Sequence, residues 1–317
     1  MEKDKLLKKL ESQIAELQEL ANQNGMDLSE EISRLRQKLK EAEEKRKSEI
    51  TDWDRVQLAR HPNRPTAKQY IDLLMDDFYQ LHGDRLLGDD RALIGGLAKF
   101  EGTTVVLIAQ QKGGEVEESK DCNFGMVHPE GYRKARRLMQ MAARFDFPLI
   151  SLIDTPGAYP GKSAEKRNIG GTIAKCIDEM LKLPVPTISA IIGEGGSGGA
   201  VAIGAADRVV MLENAIYSVI SPEGCAAILW KDREKAEEAA KQLRLTAPHI
   251  FELGLIDEVV EEGSGGAHED LEQTAKNLGD SLRTHLDQLL EISPQDLTDS
   301  RRNRYRKVGR YEYVEKD

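Results

Sequence analysis

The chain has 317 residues, of which 39% are hydrophobic, 32% charged and only 5% aromatic. That length allows one large domain or two small ones around a substantial core. With 45 Lys and Arg against 55 Asp and Glu the net charge is −10, which argues against a broad nucleic-acid face and against bulk binding to anionic membranes.

Residues 1–52 form a charged first zone. Leu7, Leu10, Ile14 and Leu17 recur at helical spacing, and Leu28, Ile32, Leu35 and Leu39 resume it after Asn22-Gln23-Asn24-Gly25. The pattern predicts two amphipathic helices joined by an Asn-Gly turn: an antiparallel hairpin with narrow, coiled-coil-like stripes. Such an arm packs on itself or on a partner subunit.

Residues 53–262 form the second zone. It opens with a connection, Trp53–Pro65, in which Pro62 and Pro65 break any helix. Beyond it, predicted strands at 92–98, 104–110, 148–153, 187–192, 208–211 and 215–219 alternate with predicted helices at 67–78, 129–143, 173–183, 198–205, 232–243 and 247–253. That alternation predicts an α/β core with crossover helices. Gly95-Gly96, inside a strand pattern, marks a bulge or a close backbone approach. The third zone, 263–317, predicts a helix over 269–290 and ends in the basic run Arg301-Arg302-Asn303-Arg304-Tyr305-Arg306-Lys307. In an acidic chain this run reads as a solvated or partner-facing end rather than a nucleic-acid patch.

The three cysteines, Cys122, Cys176 and Cys225, are dispersed and odd in number, so they suggest neither a disulfide framework nor a metal knuckle. The histidines lack paired spacing, and no metal site is expected. The N-terminus lacks a signal-peptide layout, and no apolar run reaches the roughly 18 residues of a spanning helix. A cytoplasmic protein is the expectation.

The strongest motif is Gly193-Glu194-Gly195-Gly196-Ser197-Gly198-Gly199-Ala200, between an apolar strand and a small-residue helix. Glycines let a backbone approach a ligand closely, and free amides at the helix start can hold a phosphate or an oxyanion. No Lys-Ser or Lys-Thr follows, so this is not a Walker A loop. A dinucleotide reading needs an acidic residue about 20 positions on, and Glu213 keeps that alternative open. Asp154-Thr155-Pro156-Gly157 with Gly161-Lys162-Ser163 resembles GTPase boxes, but in the wrong order and without a guanine box. Lys112, in Gln111-Lys112-Gly113-Gly114, either meets an anion or is a plain surface lysine at a turn.

Five phrases in order carry a specific likeness. They are Asn123-Phe124-Gly125-Met126, Pro129–Ala135, Asp154–Gly161 (DTPGAYPG), Gly193–Ala200 (GEGGSGGA) and Tyr217–Cys225 (YSVISPEGC). Together with Leu58–Pro62 and Gly83-Asp84-Arg85, they resemble the bacterial and plastid acetyl-CoA carboxylase carboxyltransferase subunit alpha family over nearly the whole chain. The resemblance implies a ClpP/crotonase-like α/β spiral of ββα units, with 1–52 as N-terminal hairpin, 53–262 as carboxyltransferase core and 263–317 as C-terminal helix and tail. It implies carboxyl transfer from carboxybiotin on a biotin carboxyl carrier protein to acetyl-CoA, giving malonyl-CoA for fatty acid synthesis. It implies a zinc-ribbon beta subunit as obligate partner, with ATP used only by the biotin carboxylase component. A plastid-stroma location would replace the cytoplasm for a chain of plastid origin.

The same resemblance implies site residues. Gly198 and Gly199 would supply oxyanion-hole amides, with Gly195 and Gly196 shaping the turn. Gly157, Ala158, Tyr159, Pro160 and Gly161 would contact substrate, as would Ser221, Pro222, Glu223 and Gly224. Such amides would serve the ureido oxygen of biotin or the thioester enolate, and no side-chain base is required because biotin's freed nitrogen can take the proton. Two departures stand out: the family's Gly-Gln is Asn168-Ile169 here, followed by Gly170-Gly171, and its Arg after Gln-Lys-Gly is Gly114. Helix-interior glycines cost roughly 1 kcal/mol each, so a loosened or shifted helix start and weaker activity are expected. The alternatives are a stand-alone acyl-CoA hydratase or isomerase using Glu223 as acid or base, and a non-catalytic scaffold with a decayed site. RNA binding through the basic tail is a minor one.

Overall fold

The computed structural model describes Leu10, residues 12–21 and residues 28–309. The chain divides into two compact units, Met1–Asp54 and Arg55–Asp317. In the first, residues 12–21 are helical and a second helix covers Ser29–Glu49. Leu10 and Ile14 are buried. Ile32, Leu35 and Leu39 are half-buried while the residues between them are exposed, which is the narrow stripe that the spacing predicts. Leu7 and the Asn22–Gly25 turn lie outside the described residues.

The second unit is built on a mixed sheet. Its strands are β1 (Asp76–Gln80), β2 (Leu93–Phe100), β3 (Thr103–Gln110), β4 (Leu149–Thr155), β5 (Thr187–Gly196), β6 (Arg208–Leu212), β7 (Ile216–Ser218) and β8 (Glu258–Val260). The order is β1-β2-β3-β4-β5-β6-β8, with β7 paired to the end of β5. The first three strands are antiparallel, and the remaining pairings are parallel. A parallel strand covered on both faces must be apolar throughout rather than alternating. β4 is accordingly buried at every position and β5 at all but its last. The α/β core expected from the alternation is present.

Three expectations are corrected. The predicted helix 67–78 stops at Leu74, because Met75 is already extended and Asp76–Gln80 pair with β2. That edge strand was hidden by its acidic start and by an irregular register between Asp76 and Tyr79, where Asp77 adopts φ 49°. The connection 53–65 contains a helix, Asp52–Ala59, with Val56 and Ala59 buried. Gly95-Gly96 forms no bulge, since the β2–β3 register is unbroken. Instead, a Cβ on Gly96 would stand 2.0 Å from the Tyr79 carbonyl oxygen, so the close-approach reading holds.

The basic tail is also corrected. It forms a helix, Pro294–Arg306, started by the Ser293 cap. Arg301 has no exposed side-chain surface and pairs with Asp207, and Arg304 binds Asp257 at 2.6 Å. These two arginines are internal staples, because helix periodicity turns one face of the run inward; Arg302 and Arg306 stay exposed.

One helix matters most for the site. Ser197–Gly204 follows β5 directly and is buried along most of its length. Ser151 of β4 and Ser189 of β5 share a 2.7 Å hydrogen bond, and their hydroxyl oxygens lie 2.7 and 3.0 Å from the Ile203 carbonyl, so one hydroxyl donates to that carbonyl and the other to its partner serine. Gln110, at the end of β3, donates its Nε2 to the Gly199 carbonyl at 2.8 Å. Three neighbouring strands thus pin both ends of this helix, so its first turn is held rigidly at the carboxyl edge of the parallel sheet.

Candidate active site

The Gly193–Gly199 turn is built by close approach. A Cβ on Gly193 would lie 2.3 Å from Asp154 Oδ1, and one on Gly195 would lie 2.8 Å from the Tyr217 ring. One on Gly196 would lie 2.3 Å from both the carbonyl carbon and oxygen of Pro156, and one on Gly199 would lie 2.7 Å from the Ala158 amide nitrogen. Gly198 alone of the five has room, its nearest neighbour being Ile173 at 3.6 Å. The residue of the turn that adopts positive φ is not a glycine but Ser197, at 53°. The turn needs glycine mostly because the DTPG loop presses against it.

The structure therefore brings Gly195, Gly196, Gly198 and Gly199 together with Gly157 and Ala158. Gly157 has φ 147°, and its amide donates to Thr155 Oγ1 at 3.0 Å. Tyr159 turns away to pack on His128, with ring centroids 4.2 Å apart and the planes tilted by 44°. Gly161 leaves space for that tyrosine ring, and Pro160 is exposed. Ser221 caps the helix Pro222–Leu229 by accepting from the Gly224 amide. Pro222 is buried in that helix's first turn, and Glu223 joins the glycine turn through a charge chain.

Sequence reasoning did not find that chain. Arg60 binds Glu194 and Glu223, each at 2.7 Å. Lys112 binds Asp154 at 2.7 Å and Glu194 at 2.9 Å. Asp154 Oδ1 accepts the Glu194 backbone amide at 2.8 Å. Lys112 is therefore not a plain surface residue: the anions that it meets are the two carboxylates of Asp154 and Glu194, between which it is held. The available signal was positional. Lys112, Asp154 and Glu194 sit at or just beyond the carboxyl ends of adjacent strands β3, β4 and β5, where α/β sheets place their sites.

The electrostatics follow. Burial alone would raise the Glu194 carboxyl, but Lys112 and Arg60 outweigh it and hold the group below its ordinary value. Burial would lower Lys112, but Asp154 and Glu194 outweigh it and hold the ammonium charged. Glu194→Gln is expected to lower stability by about 3 kcal/mol at neutral pH, because it strips the carboxylate shared by two partly buried cations. A depressed carboxylate pKa contributes stability that is complete above the unfolded-state value near 4.5 and is lost as pH falls through the lower folded value. The gap between wild type and Glu194→Gln should therefore narrow below that pH in denaturant titrations; a constant gap would remove the charge argument.

Glu223 is likewise held below its ordinary value, since its Arg60 hydrogen bond outweighs partial burial. A carboxylate kept ionised in this way is poorly suited to the acid role that a stand-alone hydratase would require. Glu213, the acidic residue of the dinucleotide reading, accepts the Glu262 backbone amide at 3.1 Å. It ties the chain just after β6 to the chain just after β8.

The departure at Asn168–Gly171 is a matched device. The helix Ile169–Lys182 starts earlier than the predicted 173–183, so its start is shifted, and it is formed through both glycines. Asn168 takes φ 64° as its N-cap and accepts from the Gly171 amide at 3.1 Å. A Cβ on Gly171 would lie 2.4 Å from that same side-chain amide. Asn168→Ala should cost about 1 kcal/mol of stability through the lost cap, measured by urea unfolding. At Gly114 the surroundings are open: its amide donates to Glu118 at 2.8 Å, and a Cβ would meet only that carboxylate, at 3.6 Å.

Neither of two sizeable cavities is lined by the glycine turn. One of about 660 Å³ includes Lys68, Phe78, His82, Arg91 and Cys122. The other, of about 330 Å³, lies between the helices Pro129–Phe145 and Ile169–Lys182. Among the described residues no group of three or more His, Cys, Asp and Glu is arranged to hold a metal, and no helix is long and apolar enough to cross a membrane.

A family profile described as acetyl co-enzyme A carboxylase carboxyltransferase-like matches residues 1–309. The acetyl-coenzyme A carboxylase carboxyl transferase subunit alpha of Bacillus velezensis is 47% identical over 310 residues, which cover 98% of this chain and 95% of that one. The protein of the same name from Listeria innocua is 47% identical over 98% of each chain. Among solved structures, transcarboxylase 12S superposes with a TM-score of 0.59 at 19% identity, over 73% of this chain and 44% of that one. A Pseudomonas malonate decarboxylase hetero-tetramer in complex with coenzyme A gives 0.56 at 18% identity, over 69% and 89%. These structural likenesses concern the fold, and it is the crotonase-like α/β architecture expected from the sequence.

Proposed function

The chain belongs to the acetyl-CoA carboxylase carboxyltransferase alpha family, a transferase component of a biotin-dependent enzyme that works with a beta subunit, and from that premise we propose how its residues act. The substrates are carboxybiotin, arriving on a biotin carboxyl carrier protein, and acetyl-CoA; the product is malonyl-CoA. Biotin is here a visiting substrate that supplies the carboxyl group. ATP is spent by a separate biotin carboxylase. The beta subunit carries the zinc ribbon, and a cytoplasmic or stromal location belongs to the same reading.

The observation that carries this reading is the pinned first turn of the helix Ser197–Gly204. The first amides of a helix have no intrahelical acceptor, and those of Gly198 and Gly199 open that turn. Gln110, Ser151 and Ser189 hold the helix in place. Donors fixed in advance stabilise a developing oxyanion without reorganisation. Pro156–Ala158 press against the turn and form its wall, and the Ser221–Gly224 turn reaches the site through Glu223 and Arg60.

The test is carboxyl transfer in reverse, with malonyl-CoA as donor and a biotin derivative as acceptor. This chain and a zinc-bearing beta subunit are assayed separately and mixed. Activity is expected only in the mixture. Activity of this chain alone, or no complex, would overturn the reading. Complex without turnover would identify a scaffold. Gly114→Arg is expected to raise the mixed rate while leaving the fold unchanged.

A further inference from the structure

The cavity between the helices Pro129–Phe145 and Ile169–Lys182 has a charge unlike the rest of the chain. It encloses about 330 Å³ and is lined by Arg85, Arg133, Arg136, Arg137 and Lys175 against the single carboxylate of Asp84. In a chain of net charge −10, such a concentration of cations in one concavity calls for a reason. Helix periodicity supplies the placement: 133, 136, 137 and 140 share one face of the first helix, while 172 and 175 share one face of the second.

Not all of these cations are paired. Arg133 binds Asp84 and Glu130, and Arg136 binds Glu179. Among the described residues Arg137 donates to the backbone carbonyls of Gly83 and His82, both at 3.2 Å, and Arg85 donates to the same His82 carbonyl at 2.9 Å. Burial and the neighbouring Arg85 push the Arg137 guanidinium down from its ordinary value, against the opposing pull of Asp89 and Asp84.

The loop that brings Arg85 there is deliberately built. Asp84 is buried and accepts the amides of Leu86, Leu87 and Gly88 at 2.8–2.9 Å. Burial opposes its charge, but those amides and Arg133 hold its pKa down to about 2. Arg85 itself sits at φ 63°, a conformation that costs a non-glycine residue energy. Leu86 also lines the cavity and is 77% exposed, which offers an apolar rim beside the cations.

We propose that this cavity is a binding site for an organic phosphate, with Arg85, Arg137 and Lys175 engaging its phosphate oxygens and Leu86 its organic part. Guanidinium forks match phosphate oxygens in geometry and charge, and the volume lies in the range of small-molecule sites. Tyr132 lines this cavity and also abuts Gly199, where a Cβ would lie 3.0 Å from its hydroxyl oxygen. The site therefore lies behind the turn assigned to oxyanion binding. It stands independently of that assignment, since binding is read without turnover.

The test uses the full chain and inorganic pyrophosphate, followed by calorimetry at constant ionic strength set with KCl. Saturable binding is expected, weakened about tenfold or more by Arg137→Ala with Lys175→Ala, as the loss of charge-assisted bonds would give. Lys175→Glu alone, at an exposed position, should weaken binding in the same direction and guards against a folding artefact in the double variant. Competition then distinguishes two sources. Displacement by CoA but not by dephospho-CoA would assign the site to the substrate's 3′-phosphate. Binding that CoA does not displace would assign it to a separate organic phosphate. No saturable binding, or binding untouched by all these substitutions, would overturn the proposal. So would loss of beta-subunit binding in the variants with no pyrophosphate binding by wild type, because a protein carboxylate would then fill the cavity.

Discussion

Gly196→Ala is expected to abolish measurable carboxyl transfer and to lower the melting temperature by several degrees, whereas Gly198→Ala should leave the melting temperature unchanged. The two residues are neighbours in one motif, and by sequence they are equivalent. By packing they are not. A methyl group on Gly196 would sit 2.3 Å from the Pro156 carbonyl carbon and oxygen, while one on Gly198 has its nearest neighbour at 3.6 Å. The Pro156 contacts are backbone atoms, which cannot swing aside as a side-chain tip can. Overpacking of this kind costs about 1–3 kcal/mol or more, which corresponds to roughly 2–4 °C per kcal/mol in a domain of this size class. The wall formed by Pro156–Ala158 would also be displaced from the first-turn amides, and loss of one oxyanion donor typically costs about 100- to 1000-fold in rate. Alanine at 198 keeps its amide. Calorimetric melting and the reverse transfer assay on both variants decide the matter; equal melting temperatures would show that the turn tolerates displacement.

The difference between those two glycines marks how far the sequence could be read. Its apolar runs announced β3, β4 and β5, because strands buried on both faces carry few polar residues. Five glycines in seven residues announced a turn with a close approach, read there as the approach of a ligand. What presses there is the DTPG loop, distant along the chain but adjacent once β4 and β5 pair. Tertiary pairing of that kind leaves no local periodicity to detect. The charge chain Lys112–Asp154–Glu194–Arg60–Glu223 was illegible for the same reason, since its members are spread from residue 60 to residue 223.

Local chemistry taken alone also misled in an instructive way. Gly170 and Gly171 argued for a weakened helix start, because glycine is a poor helix residue. Asn168 reverses that expectation by taking the left-handed cap position and bonding the Gly171 amide, and a side chain at 171 would collide with the cap. The substitution from the family pattern is thus compensated within four residues. Edge strands β1 and β8 were missed because short, partly charged segments give neither a period of two nor an apolar run.

The C-terminal basic run gives the largest expected effect on stability. Arg301→Ala should cost about 3–5 kcal/mol, the range seen when one partner of a buried ion pair is removed. Its guanidinium donates to both oxygens of Asp207, at 2.8 and 2.6 Å. It also donates to the carbonyls of Met180, Leu183 and Val185, at 2.7–2.9 Å. Truncation would leave a buried carboxylate and three carbonyls without these donors, and water has little access to replace them. Asp207 further accepts the Thr187 amide and hydroxyl, each at 2.8 Å, so the disturbance passes to the start of β5, the strand that carries the glycine turn. Arg301→Lys keeps the charge but has no planar fork, and it should recover only part of the loss. The exposed Arg302 is the control: its alanine variant should unfold with wild type. If denaturant unfolding gave Arg301→Ala and Arg302→Ala the same stability, the inward face of the helix Pro294–Arg306 would carry no structural weight, and the tail would return to being a solvated end.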